Sequence, residues 1–376
     1  MLKSIKDILM ERGPMLSGEL AQLYEEANAV SNVAARKAVS RAHDEIFKSR
    51  DIPFKNKQKF VYLEAQFRTP YYRKAMLLAV KDSYKLGYEI IKALVLHAGI
   101  ASREHLAAYT ASPIKNVSGH QRFDSVLERL KTAHIVEELD ERYIQLADGY
   151  AETPVSLKRA KAIEIAETVT LTDFCDLLRN TNVISFEKGK IWNDFGQFLW
   201  CLSAPSYVHG VAAWDKKELR LKPGFMLADI VLQYNASVED VSFFVEKIKI
   251  VRSYRAISNF VPILLVYGLE HQALQYLKEY NVVVALIGNI FGDKYKQMLG
   301  ELIEVITNAT EVALNEPERL NKFLDELLKF DGRHNNVAGA LFELMVANFY
   351  TTIGQQYLEI NKRIAAHETL SGRPRD

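Results

Sequence analysis

The stretch GFMLADIVLQYNASVEDVSFFVEKIKIV (224–251) decides how this chain is read. Two runs rich in β-branched and aromatic residues, GFMLADIVLQY (224–234) and VSFFVEKIKIV (241–251), flank a polar turn, and both are expected to be strands. Downstream, VPILLVYG (261–268) reads as a buried strand, HQALQYLKEYN (271–281) as a helix and VVVALIG (282–288) as a last buried strand. Upstream, NDFGQFLWCLS (193–203) reads as a helix. Near-continuous apolar runs alternating with a helix imply a parallel or mixed sheet covered on both faces, expected over residues 191–292. A mostly helical connector, 151–190, leads into it.

The first 150 residues read as two copies of one small unit, 1–68 and 85–150. In the first, a helix over 2–11 precedes LSGELAQLY (16–24), where Ser17 can cap the second helix through its hydroxyl. A third helix, SNVAARKAVSRAHDEI (31–46), carries Arg36, Lys37 and Arg41 near one face. IPFKNKQKFVYLEAQF (52–67) then alternates like a basic β ribbon bearing Lys55, Lys57 and Lys59. The second copy runs through YEIIKALVLHAG (88–99), ASREHLAAYT (101–110), NVSGHQRFDSVLERLKTAHIVEEL (116–139) and RYIQLAD (142–148). Its third helix has a core stripe of Phe123, Val126, Leu127 and Leu130, with Gln121, Arg122 and Arg129 turned away and His120 at the edge.

Three helices followed by a ribbon is the order of a winged helix, so the fold class expected is a multidomain α+β and α/β chain opening with tandem winged helices. In such a unit the third helix typically enters the major groove while the ribbon touches phosphates, and the six named cations of copy one suit those two tasks. The polar side of copy two is less basic, which suits a protein or dimer contact better than DNA.

The middle region resembles the core of the restriction endonuclease-like (PD-(D/E)XK) superfamily. That resemblance implies an aspartate on the second strand and an E-x-K on the third, converging on one or two divalent ions, Mg2+ or Mn2+, with the lysine positioning or activating the attacking water. Asp229 matches the aspartate. Glu246 and Lys249 are the nearest match to E-x-K, but they lie three apart. On a strand only residues two apart share a face, so either a bulge brings them together or the site has decayed. Decay is the preferred reading, because the opening helix also lacks a glutamate and offers only Asp194. Asp229 then has a plainer role as a hydrogen-bonded strand residue.

The C-terminal region, 293–376, reads as helical, with one stripe at Met298, Leu299, Leu302, Val305 and Ile306 and another at Leu320, Phe323, Leu324, Leu327 and Leu328. GALFELMVANFYTTIG (339–354), QYLEINKRI (356–364) and SGRPRD ending at Asp376 resemble the opening of a second such nuclease fold. The resemblance makes Glu343 and Asp376 metal-site candidates whose partner E-x-K would lie beyond the chain, as in a truncated or split enzyme; a terminal helix and edge strand is the plainer alternative.

Composition bounds the rest. The 376 residues are 48% hydrophobic and 25% charged, with a formal net charge of +1, which is ordinary for a globular protein with more than one core. Residues 1–80 hold 14 Lys/Arg against 9 Asp/Glu, a bias toward a polyanionic partner. Two cysteines exclude a disulfide framework or a cysteine zinc site, and no signal peptide or long apolar span is evident, so a cytoplasmic protein without a membrane is expected. Neither a phosphate-binding glycine loop nor HExxH nor G-x-S-x-G occurs. The expected function is double-stranded DNA binding, alone or with a homodimer or partner subunit, in DNA processing or defence, by a chain whose nuclease-like domain is degenerate. The alternatives are an active metal-dependent endonuclease using Asp229, Glu246 and Lys249, and a non-enzymatic transcription regulator.

Overall fold

The computed structural model describes residues 3–308 apart from 152, 217, 255 and 256, together with Glu318. The second stripe at 320–328 and the metal candidates Glu343 and Asp376 lie outside the described residues.

The chain opens on α1 (Ile5–Arg12), started by a reciprocal cap in which the Ser4 hydroxyl accepts from the Asp7 amide and the Asp7 carboxylate accepts from the Ser4 amide. Then follow β1 (Met15–Leu16), α2 (Ser17–Asn28), α3 (Asn32–Arg41), β2 (Ile46–Ser49) and β3 (Phe60–Leu63), with the strands in the antiparallel order β1-β3-β2. Ile5, Ile8 and Leu9 pack with Leu20, Ala35, Val39, Val61 and Leu63 into a closed small core.

Three local expectations are corrected. The third helix stops at Arg41, because Asp44 and Glu45 both take left-handed backbone before β2. The ribbon expected over 52–67 is instead the pair 46–49 and 60–63, and Lys55–Lys57 form a 3-10 turn with Asn56 and Lys57 left-handed, a conformation that cannot extend a strand. Ser17 does not cap α2. Its hydroxyl accepts from the Lys59 amide at 3.1 Å while its own amide donates to Lys59 O at 2.8 Å, stapling the base of the hairpin to the start of α2.

Helix α4 (Pro70–Ser83), with Thr69 capping and proline at its first position, leads away from this unit. The element order then repeats: α5 (Lys85–Leu96), β4 (Ile100–Ser102), α6 (Arg103–Ala108), α7 (Phe123–Thr132), β5 (Val136–Glu138) and β6 (Tyr143–Leu146), with strand order β4-β6-β5. The stripe Phe123, Val126, Leu127 and Leu130 is buried as expected.

The segment read as a connector contains α8 (Leu157–Asn180), a long helix that packs on the following sheet and shares one continuous core with it. The rest comprises β7 (Lys190–Phe195), β8 (Phe198–Ser206), a small hairpin of β9 (Ala213–Asp215) and β10 (Arg220–Lys222), β11 (Gly224–Val231), α9 (Val238–Arg252), β12 (Phe260–Val266), α10 (His271–Glu279), β13 (Val283–Leu286), α11 (Ile287–Phe291) and α12 (Asp293–Thr307). The five-stranded sheet has the order β13-β12-β11-β8-β7, antiparallel among β7, β8 and β11 and parallel from β11 to β13. The stripe Met298, Leu299, Leu302, Val305 and Ile306 of α12 is buried.

Two readings fail here. Residues 193–203 are not a helix but the turn of β7 and β8. Phe195 faces Phe198 across two residues, Gly196 and Gln197, that are both left-handed, as a tight hairpin with the strands' own twist requires. Residues 241–251 are not a strand but lie in α9, opened by the reciprocal cap of Ser237 and Asp240. Its buried Val241, Phe244, Val245, Ile248 and Val251 follow helical spacing.

Candidate functional site

Helix α3 buries Ala35 and Val39 and leaves Arg36, Lys37 and Arg41 exposed. Lys37 and Arg41, four apart, share a row beside Arg36. Lys48 on β2 joins this helix to the hairpin: its ammonium donates to Ser40 O at 2.9 Å and Ala42 O at 2.5 Å, at the negative end of α3. Burial, and then the positive charges of Lys59 and Arg50, hold the Lys48 amine below its ordinary pKa. The end of α3 and the base of the hairpin therefore form one positive neighbourhood. Lys57 stands exposed in the hairpin turn. Lys55 departs from the group, turning to α4 to donate to Asp82 O at 3.3 Å.

Residues 31–59 contain eight Lys/Arg against three Asp/Glu, a difference of +5. The acids do little to offset this, since Glu45 pairs with Lys6 and Asp44 with His43. Among the described residues Arg36, Lys37, Arg41, Arg50, Lys57 and Lys59 form no ion pair with a carboxylate, whereas the second unit pairs three of its cations with its own carboxylates. There Arg103 and Arg122 both pair with Asp124, and Lys131 with Glu128 and Glu138.

The position expected to hold a metal is sealed. Asp229 lies on β11, the third strand of the antiparallel set and not the second, and is fully buried. One of its oxygens accepts the Cys201 amide at 2.9 Å and the other the ammonium of Lys247 at 2.7 Å. Lys247, also fully buried, projects from α9, donates to Ala108 O at 2.8 Å and sits 4.2 Å above the Trp200 ring. Burial raises the Asp229 pKa, opposed by the lysine beside it. A divalent cation of the Mg2+ class needs a shell of oxygen ligands, and Asp229 faces two donors instead. These residues do not fit Mg2+ or Mn2+.

Glu246 and Lys249 do not converge on Asp229. They occupy the outer side of α9, where Glu246 pairs with Lys249 at 3.0 Å and with Lys85 at 3.2 Å. Asp194 is exposed on β7 and pairs with Lys115. Among the described residues no group of three or more His, Cys, Asp or Glu side chains could hold a metal ion. Sequence reasoning missed Lys247. Read as part of a helix, it falls on the stripe of Phe244 and Val251, and a charge on an apolar stripe signals a buried partner.

A second polar cluster joins the repeated unit to α8. His97 contacts Ala93 O at 2.7 Å and the Glu167 carboxylate at 3.1 Å, and the Tyr109 hydroxyl donates to the same carboxylate at 2.5 Å. Burial alone would lower the His97 pKa, but the Glu167 charge and hydrogen bond push it up to about 9. Glu167 and Tyr109 border a cavity of about 540 Å³ at the carboxyl ends of β11 and β12, where Arg159 and Glu304 pair at 3.0 Å.

No family model matches the chain, and no curated protein matches it. Two solved structures are similar to parts of it. The protein VC1899 from Vibrio cholerae is 11% identical with a TM-score of 0.18, the match covering 59% of this chain and 55% of that one. The restriction endonuclease FokI bound to DNA is also 11% identical with a TM-score of 0.18, over 76% of this chain and 62% of that one. The chain thus spans a little over half the length of the first and under two thirds of the second. Likeness this remote fixes neither fold nor function. No helix among the described residues is long and apolar enough to cross a membrane.

Proposed function

We propose that this chain binds duplex DNA through its first unit, a winged helix, with α3 as the groove-reading helix and the β2–β3 hairpin as the wing. The second unit is a further winged helix used for packing, and the five-stranded sheet is a restriction endonuclease-like core that has lost its metal site. The carrying observation is the set of cations on α3 and the hairpin that have no carboxylate partner among the described residues, fastened together by Lys48. Phosphates would supply the missing counter-charge. The order of α8, three antiparallel strands, α9 and a parallel strand favours the nuclease-like assignment of the core. The seal of Lys247 on Asp229 favours binding without cleavage, as a recognition subunit in DNA processing or defence.

The test is titration of a fluorescent blunt duplex with the full chain at several salt concentrations, alongside plasmid incubated with Mg2+ or Mn2+. Binding that weakens with salt, drops at least tenfold in an Arg36→Ala, Lys37→Ala, Arg41→Ala triple variant, and leaves the plasmid uncut is the expected result. Duplex affinity unchanged by the triple substitution would overturn the DNA reading, and plasmid cleavage by the parent that is lost in an Asp229→Ala variant with the parent's circular dichroism would overturn the loss of catalysis.

A further inference from the structure

The outward face of the β2–β3 hairpin carries a row of aromatic rings whose inner members pack on the core and whose end members, Phe47 and Phe67, do not. Phe47 and Tyr62, directly opposed across the two strands, stack at 5.8 Å and 20°, and Tyr62 stacks on Phe67 at 5.6 Å and 19°. Tyr72 of α4 closes the row from below, edge-on to Tyr62 and Phe67. Core aromatics are covered, yet Phe47 is 44% exposed and Phe67 42%. Aromatic surface left in water at both ends of a stacked row can take a further planar group.

The row ends at cations. Arg68, held in left-handed backbone at φ 56°, sets its guanidinium 5.2 Å from the Phe67 ring centroid. Beyond it, between the two repeated units, lies a pocket of about 250 Å³ bordered by Phe67, Arg68, Tyr72, Arg73, His134 and Tyr150, with Glu137 and Asp148 also on its rim. Arg73 lies across Gly149, whose φ is +77°, and a Cβ there would come within 2.3 Å of its guanidinium. Neither Arg68 nor Arg73 forms an ion pair with a carboxylate among the described residues. Glu137 is instead the acceptor for Gln145.

We propose that this row and pocket form a second nucleic-acid site, specific for unpaired DNA, in which bases stack against the exposed Phe47 and Phe67, braced by Tyr62 between them, while Arg68 and Arg73 hold the phosphates of the strand entering the pocket. Exposed aromatic rings followed by planar cations match a single strand, whose bases expose their π faces. They do not match a duplex, whose bases stack on one another. The site extends the duplex-binding reading, so that the protein would prefer a junction between paired and unpaired DNA, but it uses different residues and can fail separately.

The experiment compares the full chain on three probes: a blunt duplex, the same duplex with a 10-nucleotide single-stranded overhang carrying 2-aminopurine, and the single strand alone. The overhang is expected to strengthen binding and quench the 2-aminopurine. A Phe67→Ala variant, altered outside the two hairpin strands, is expected to lose at least about fivefold on the overhang and single-strand probes, with quenching reduced and blunt-duplex affinity unchanged. Because the Phe67 ring is exposed, that variant should fold, and unchanged circular dichroism is the control. Arg68→Ala should weaken both unpaired probes in the same way. An overhang that adds no affinity and is not quenched, or equal losses on blunt and overhang probes, overturns the second site. Loss of blunt-duplex binding in the Arg36, Lys37, Arg41 variant tests the first site alone.

Discussion

Lys247 places its ammonium 2.7 Å from an Asp229 oxygen with neither side chain open to solvent, and its third contact, Ala108 O, belongs to the end of α6 in the repeated unit. One lysine thus ties the sheet, the helix that covers it and the preceding unit. Removing one partner strands the other charge in the core. Asp229→Ala and Lys247→Met should each cost about 3–5 kcal/mol of unfolding free energy in denaturant titration. The double Asp229→Leu, Lys247→Met variant should recover much of that loss, since two apolar groups replace two desolvated charges. Were the single Asp229 variant as stable as the parent, the pair would not have the structural role assigned to it.

The hairpin predicts a contrast between two neighbouring lysines. Lys57 is exposed and has no carboxylate partner among the described residues, whereas Lys55 is turned to the end of α4. Lys57→Ala should make the plot of log affinity for duplex against log salt shallower by about one, the signature of one phosphate contact, while Lys55→Ala should leave the slope unchanged. Equal slopes for both variants would remove the hairpin from the interface.

How much of this was legible in the sequence depends on whether local pattern and tertiary context agreed. The stripes of α7 and α12 were readable because burial there follows helical spacing, and the strands β11 to β13 because each is a near-continuous apolar run. The misreading of 241–251 arose because Phe243 and Phe244 within a β-branched run look strand-like. The decisive cue was the polar pair Ser237 and Asp240 just upstream, which caps a helix. The β7–β8 hairpin was hidden because Gly196-Gln197 is not among the common turn pairs and its flanking aromatics suit either structure. With 241–251 taken as a strand, Glu246 and Lys249 looked like site residues and Lys247 was passed over. The helix reverses both conclusions.

Glu89 is buried on α5, with one oxygen accepting the Ala111 amide at 2.8 Å and the other without a partner. Burial pushes its pKa up to about 7, opposed by that amide bond and by Lys85. A carboxyl whose folded value lies above its ordinary 4.5 contributes stability fully present below that value and lost as pH rises toward about 7. The loss is at most about 3 kcal/mol at 1.36 kcal/mol per pKa unit. Glu89→Gln keeps the acceptor for Ala111 and cannot ionise. It should therefore raise stability at pH 8 and flatten the fall between pH 4.5 and 7 in thermal melts; a variant with the parent's pH profile would refute the assignment.

The His97 and Glu167 pair should give a separate dependence at higher pH. His97 is pushed up to about 9 from an ordinary 6.5, and Glu167 is held below its ordinary 4.5 because His97, His105 and the Tyr109 hydroxyl outweigh its burial. The raised histidine contributes stability that is complete below 6.5 and lost as pH climbs through about 9, and the depressed carboxylate contributes stability present above 4.5 and lost as pH falls below it. The pair is therefore at full strength between about pH 4.5 and 6.5, and most of its weakening, up to about pH 9, lies above the range over which Glu89 titrates. His97→Gln, which can still donate to the carboxylate but carries no charge, should be less stable than the parent at pH 6 and approach it near pH 9.5. Melts of that variant at both pH values, in the Glu89→Gln background, separate the two groups. A deficit for His97→Gln that is the same at pH 6 and 9.5 would mean the histidine is neutral in the folded protein.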